Sequence, residues 1–186
     1  MATRSRRRAM IIGLILAGGL SSRMGEDKAL MVIDGVTMLD RTAHTLRCMG
    51  AGLVAVSGSR PGGIPDRWPA AGPVGGMASA AEVLPDAELL VVPVDMPRMG
   101  SAVLLPLLTE RRQRATRWAG HPLPMRLTLD ATTRDALIGM MTLTGRDCSV
   151  TALQTRIGTT TLPLGGLDPI LLANCNTPDE WREANA

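Results

Sequence analysis

Apolar and polar positions along this chain switch repeatedly between two periods. Met10–Leu16 (MIIGLIL) is a continuous apolar run, as expected of a strand buried on both faces. Over Thr37–Met49 the residues Met38, Leu39, Ala43, Leu46 and Met49 recur at helical spacing, and Gly50 ends the segment. Leu53–Val56 predicts a second strand, and the Gly- and Pro-rich stretch Gly58–Gly72 a loop. Val74–Leu84 predicts a helix that stops before Pro85. Glu88–Val94 (ELLVVPV) predicts a third strand, whose internal Pro93 suggests an edge position or an irregular end. Ser101–Arg112 reads as a helix capped by Ser101.

The second half is less regular. Met125–Asp130 alternates as a strand does, and Arg134–Met141 and Ser149–Thr155 predict helices. Gly158–Leu164 and Pro169–Asn174 predict strands. Thr177 is placed to cap a closing helix, with Pro178 in its first position and Asp179–Glu180 near its positive end. Strands alternating with helices predict an α/β fold with a mostly parallel sheet. Such sheets bind ligands at the carboxyl ends of their strands. The loops after Leu16, Val56 and Val94 should therefore converge.

Length and composition refine this picture. A chain of 186 residues with 45% hydrophobic content predicts one domain with a real core, and no segment suggests a linker or a repeat. No apolar run reaches the roughly 18–20 residues of a membrane span. The first residues resemble a signal peptide, but the apolar part is short and runs straight into the glycine-rich loop, so cleavage would remove the candidate site. The net charge is +3, and Arg4, Arg6, Arg7 and Arg8 leave the remainder near neutral. Residues 1–9 thus read as a basic, disordered tail and 10–186 as the folded domain. Phe and Tyr are absent and the only aromatics are Trp68, Trp118 and Trp181, which argues against single-strand nucleic-acid binding. The 12 methionines are expected to fill the core instead. Cys48, Cys148 and Cys175 form no CxxC or Cys/His ligand spacing, and reduced thiols suit the cytoplasm.

The chemistry concentrates in Leu16–Leu30 (LAGGLSSRMGEDKAL). A buried strand opening into glycines, with Arg23 and Lys28 following, can hold phosphates: glycine lets the backbone N–H groups approach the anion and the cations neutralise it. The spacing matches neither the Walker loop nor the dinucleotide fingerprint. Asp95 ends the third strand and is placed either to hold Mg²⁺, which favours one or two carboxylates plus substrate phosphates, or to cap a turn before Pro97. Asp66 can accept from a ribose hydroxyl or a base N–H, or serve as a loop aspartate. Gly72–Gly76 opens a helix whose N–H groups can face an anion. His44 falls within a helix and receives no role, whereas His121 sits in a loop with more room for one. No spacing suggests a covalent nucleophile.

Together these segments resemble the molybdenum cofactor guanylyltransferases. The resemblance rests on LAGGLSSRMGEDKAL at 16–30, GPVGGM at 72–77, VPVDMPRM at 92–99 and NCNTPDE at 174–180. It implies a Rossmann-like three-layer sandwich of the nucleotide-diphospho-sugar-transferase type. It also implies transfer of GMP from GTP to molybdopterin carrying molybdenum, with Mg²⁺ and release of pyrophosphate. By the same resemblance Leu16, Ala17, Gly18, Gly19, Ser57, Asp66, Gly72 and Asp95 contact GTP, with Lys28 and Arg23 on its phosphates. Arg23, Lys28 and Asp95 would be catalytic and Asp95 the metal ligand. Asn174 and Asn176, with the loop near Arg146, match the region that takes the pterin. Molybdoenzymes or their chaperones would receive the product; nucleic acid and membranes are not expected partners.

Two departures stand out. Ser57 occupies the place of an asparagine that contacts nucleotide in some members, and serine reaches less far. The run His121–Leu127 continues His-Pro with Leu-Pro-Met-Arg rather than small apolar residues. Relatives that use CTP tend to carry LAAG, and sugar-phosphate enzymes a GTRL loop. A CTP or sugar-phosphate transferase, or a non-catalytic nucleotide-binding module of the same fold, are the competing readings.

Overall fold

A computed structural model describes residues 10–18, 27–177, 180–181 and 183. Its centre is a six-stranded sheet of β1 (Ile11–Leu16), β4 (Leu53–Ser57), β5 (Ala87–Pro93), β6 (Ala115–Trp118), β7 (His121–Leu129) and β8 (Thr159–Leu162). The strand order is β4-β1-β5-β7-β6-β8, and β7 alone runs against the other five. A two-stranded hairpin, β2 (Val32–Ile33) and β3 (Val36–Thr37), precedes α1 (Met38–Cys48). The other helices are α2 (Gly72–Val83), α3 (Ser101–Thr109), α4 (Ala131–Met140) and α5 (Val150–Ile157).

Helices cover both faces of the sheet, giving the expected three layers. Ile12, Leu14, Leu89 and Val91 point toward α2, α4 and α5, where Met77, Leu137 and Leu153 meet them. Ile15, Leu90 and Val92 belong to the opposite core with Met38 and Leu46 of α1 and Leu104 and Leu107 of α3. Gly13 lets α1 lie close on β1, because a β-carbon there would fall 2.7 Å from Leu46 Cδ1. Met38, Met77, Met96, Met99, Met125 and Met140 are all buried, in keeping with methionine as the filler of an aromatic-poor core.

The structure corrects several expectations. Pro93 ends a central strand, not an edge one; the ladder continues past it through the Val94 N–H to the Leu16 carbonyl (3.2 Å). Pro169–Leu172 is a 3-10 turn rather than a strand, because the Asp168 carboxylate accepts from the Ile170 N–H and tightens the backbone. The third helix stops at Thr109, three residues early, and the chain then enters β6. Arg126 is buried within the sheet. Its side chain is 1% exposed and donates to Glu88 Oε2 (2.7 Å), Thr116 Oγ1 and the Gln113 carbonyl. The basic residue in the unusual 121–127 run is therefore a core element.

The closing helix is seen in part: Glu180, Trp181 and Glu183 are helical. Thr177 caps it, with its hydroxyl accepting from the Glu180 N–H (3.3 Å) while Glu180 Oε2 accepts from the Thr177 N–H (3.0 Å), a reciprocal capping box. The basic tail 1–9, Gly19, Arg23, Pro178 and Asp179 lie outside the described residues.

Candidate active site

The carboxyl ends of β1, β4 and β5 meet the start of α2 around a cleft of about 330 Å³. Its floor is Leu16, Ala17 and Gly18 from the end of β1, Ser57 from β4 and Pro93 to Asp95 from β5. The parallel register puts these ends level: Leu16 pairs with Ser57 on one side and Pro93 on the other.

One wall carries the charges. Asp27 caps a short 3-10 turn, Lys28–Leu30, by accepting from the Ala29 N–H (3.0 Å). That turn presents Lys28, whose Nζ donates to Asp95 Oδ2 (3.0 Å) and to Asn176 Oδ1 (2.6 Å). The side chains of Lys28 and Asp95 are only 18% and 15% exposed. The Cys175 N–H donates to the Asp95 carbonyl (2.8 Å), which ties the Asn174–Asn176 segment to the end of β5. Glu180 Oε2 then accepts from the Asn176 N–H (2.5 Å), and these backbone donors hold its carboxyl below the ordinary carboxylate range. The Cys175 thiol is pushed up, first by burial and then by the charge of Glu180, which disfavours the thiolate.

The opposite wall is built for close approach. Gly76 faces Ser57, and a β-carbon there would come within 2.4 Å of Ser57 Oγ. Gly75 packs on the Trp68 carbonyl, where a β-carbon would stand at 2.2 Å. Gly72 turns the chain into α2 with a φ of +56°, and Pro73 follows in the first turn. Asp66 lines the cleft with its Oδ1 engaged by the Trp68 N–H (2.9 Å) and the Ser79 hydroxyl (3.3 Å).

Of the residues singled out from the sequence, Leu16, Ala17, Gly18, Lys28, Ser57, Asp66, Gly72, Asp95 and Asn174 line this one cleft, and Asn176 joins it through Lys28. Arg146 does not line it; it sits in the 3-10 turn Gly145–Asp147 between α4 and α5. His121 begins β7 beside the cleft residue Leu123 but is not itself among the lining residues. Sequence reasoning missed Asp27, Leu123 and the neighbouring Arg60. Leu123 and Arg60 belong to no spacing that announces a role, and Asp27 lies within the 16–30 motif but is given none of its own.

Comparison with known proteins adds an independent line. The family model of the MobA-like NTP transferase domain matches residues 13–137. The molybdenum cofactor guanylyltransferase of Xanthomonas euvesicatoria pv. vesicatoria is 42% identical over 172 residues, covering 91% of each chain. The chain belongs to the molybdenum cofactor guanylyltransferases. It is therefore a nucleotidyltransferase enzyme, and the readings as a non-catalytic module and as a CTP or sugar-phosphate transferase are not favoured. Solved structures share the fold. Molybdopterin-guanine dinucleotide biosynthesis protein A of Archaeoglobus fulgidus superposes with a TM-score of 0.71 at 19% identity, covering 94% of this chain and 96% of its own. A Mycobacterium tuberculosis protein solved as a complex with manganese gives 0.62 at 21% identity, covering 95% and 98%.

The donor set of this guanylyltransferase fits a divalent cation that arrives with a nucleotide. Among the described residues no group of three or more His, Cys, Asp or Glu could hold an ion by itself. Asp95 Oδ1, however, is buried and lacks a hydrogen-bond partner, and such an orphaned acceptor suits a hard cation. One carboxylate plus substrate phosphates is a common arrangement for Mg²⁺. No helix among the described residues is long and apolar enough to cross a membrane.

Proposed function

We propose that the protein transfers GMP from GTP to the terminal phosphate of molybdopterin carrying molybdenum, with Mg²⁺ held by Asp95. The observation that carries this reading is the Lys28–Asp95 pair beside the buried, unpartnered Asp95 Oδ1, in the wall of a glycine-lined cleft. An oxygen of the molybdopterin phosphate bonds to the α-phosphorus of GTP. The bond from that phosphorus to the bridging oxygen of the β-phosphate breaks, and its electron pair leaves with pyrophosphate. The cation neutralises charge on the triphosphate. Lys28 exchanges its carboxylate for phosphate oxygens, and Arg23 is assigned to the same anion.

Positioning and charge do most of the work in such transfers. The attacking phosphate is already ionised at neutral pH, so no general base is needed. Leu16, Ala17, Gly18 and Gly19 hold the nucleotide by backbone groups, with Ser57, Asp66 and Gly72 on the base and ribose side. Asn174 and Asn176 flank the site of attack and take the pterin side. Residues 10–186 act as one nucleotidyltransferase domain, in the cytoplasm, and pass the dinucleotide cofactor to molybdoenzymes or their chaperones.

The test is pyrophosphate release with each of the four NTPs, with and without molybdenum-loaded molybdopterin. Guanylylation with GTP, Mg²⁺ and the loaded pterin is the expected result. Equal turnover with CTP would sink the proposal.

A further inference from the structure

The guanidinium of Arg60 lies behind the charged wall and touches both stretches that flank the glycine-rich segment. Its Nη2 donates to the Ala17 carbonyl (2.8 Å) and to Asp27 Oδ1 (3.3 Å), and stands 3.2 Å from Asp27 Oδ2. The Arg60 side chain is only 14% exposed, whereas that of Asp27 is 45% exposed and lines the cleft. Arg60 comes from the loop after β4, the strand that supplies Ser57, and Gly58 packs against Ala17 with a φ of +134°. A single nitrogen therefore joins the β4 loop, the end of β1 and the turn that presents Lys28.

Two physical consequences follow. Asp27 is an unhelpful charge in a cleft for an anion, since a bare carboxylate on that wall repels phosphates; Arg60 offsets it. Asp27 also caps the Lys28 turn through the same Oδ1 that Arg60 contacts, so the guanidinium fixes the cap and with it the direction from which Lys28 reaches the cleft. Arg60 is absent from the cleft lining, so it acts through these neighbours and not by contact with the ligand.

We infer that Arg60 is a positioning residue for triphosphate binding: it neutralises Asp27 and locks the Ala17–Lys28 side of the cleft into its binding geometry. This rests on the reading of the cleft as a GTP site. Arg60→Ala should raise the dissociation constant and KM for GTP on the order of tenfold, the loss typical of one hydrogen bond to a charged group. Because the damage is largely the exposed Asp27 charge, adding Asp27→Asn to the same chain should recover most of the loss, as asparagine still caps the turn. Arg60→Lys keeps the charge and should stay closer to the parent protein. It also serves if the alanine variant melts early.

The experiment is GTP binding by calorimetry together with steady-state turnover for the parent, both single Arg60 variants and the Arg60→Ala/Asp27→Asn pair. Thermal melting checks folding. A parent protein that neither binds nor uses GTP defeats the functional reading, not this one. A parent that binds GTP, with Arg60→Ala binding equally well, overturns the role of Arg60. So does a double variant as weak as Arg60→Ala, because direct contact with the nucleotide would not be relieved by changing Asp27.

Discussion

Lys28 and Asp95, 67 residues apart in the chain, meet through a 3.0 Å bond in the wall of the cleft, where the lysine occupies one carboxylate oxygen and the other is buried without a partner. The lysine thus stands where a cation is wanted. Removing it with Lys28→Met should tighten binding of Mn²⁺ alone, without nucleotide, several-fold, while GTP turnover falls by about 100-fold as a transition-state cation is lost. Paramagnetic titration of free Mn²⁺ measures the first effect. Unchanged metal affinity would show that Lys28 does not compete for Asp95.

Asp95→Ala should abolish pyrophosphate release and leave the protein folded. The side chain lines the cleft, and its removal frees Lys28 to rest on Asn176 Oδ1 alone. Turnover within tenfold of the parent, about 1.4 kcal/mol of barrier, would take the metal role away from Asp95.

Gly18 and Gly76 should respond differently to alanine. Among the described residues a β-carbon on Gly18 meets nothing nearer than Gly58 Cα at 3.7 Å, an ordinary contact, so Gly18→Ala should fold normally and show its effect in nucleotide choice and GTP KM. A β-carbon on Gly76 meets Ser57 Oγ at 2.4 Å. Gly76→Ala should therefore cost about 1–3 kcal/mol as an overpacked site does, read by chemical denaturation.

The Glu180 carboxylate gives a pH signature. Its folded-state pKa is held below the ordinary 4.5 by the Asn176 and Thr177 N–H groups, so the unfolded chain takes up the proton first as the solution is acidified. The stabilisation is fully present above the ordinary value and is lost as pH falls through the lowered one. The stability difference between the parent and Glu180→Gln should be flat above about pH 5 and shrink below about pH 4. Paired denaturation curves across that range measure it; a difference that instead grew toward acid would remove Glu180 as the cap.

Arg126→Ala tests the opposite end of the sheet. It leaves Glu88 buried with its principal partner gone, which should destabilise the fold by about 3–5 kcal/mol. The GTP KM of the folded fraction should not change, because Glu88 sits at the start of β5 and Asp95 just beyond its end.

Much of this site was legible because the buried strands announce themselves. Met10–Leu16, Leu53–Val56 and Glu88–Val94 are apolar runs, and the residue after each is where an α/β sheet puts its ligand. Asp95 stood out for that reason, and Lys28 because it follows the glycine-rich loop that the first strand opens into. Strand β6 (ATRW) was missed because it is four residues long with an arginine inside and no period to detect. The run Pro169–Asn174 misled in the other direction: Leu172 is buried and Ile170 is 43% exposed, so its apolar residues cover the sheet rather than extend it. The contact between Arg60 and Asp27 was invisible because it depends on β4 pairing with β1, a tertiary fact that no local pattern encodes.

The bond between Lys28 and Asn176 spans 148 residues, and Cys175 is tied to Asp95 beside it. Seen from the ribosome, this sets an order of events. The glycine-rich segment emerges early, yet its lysine has no asparagine to meet until residues 174–176 have left the exit tunnel. A nascent chain can build the β1–β4–β5 sheet before then, but not the finished charge arrangement.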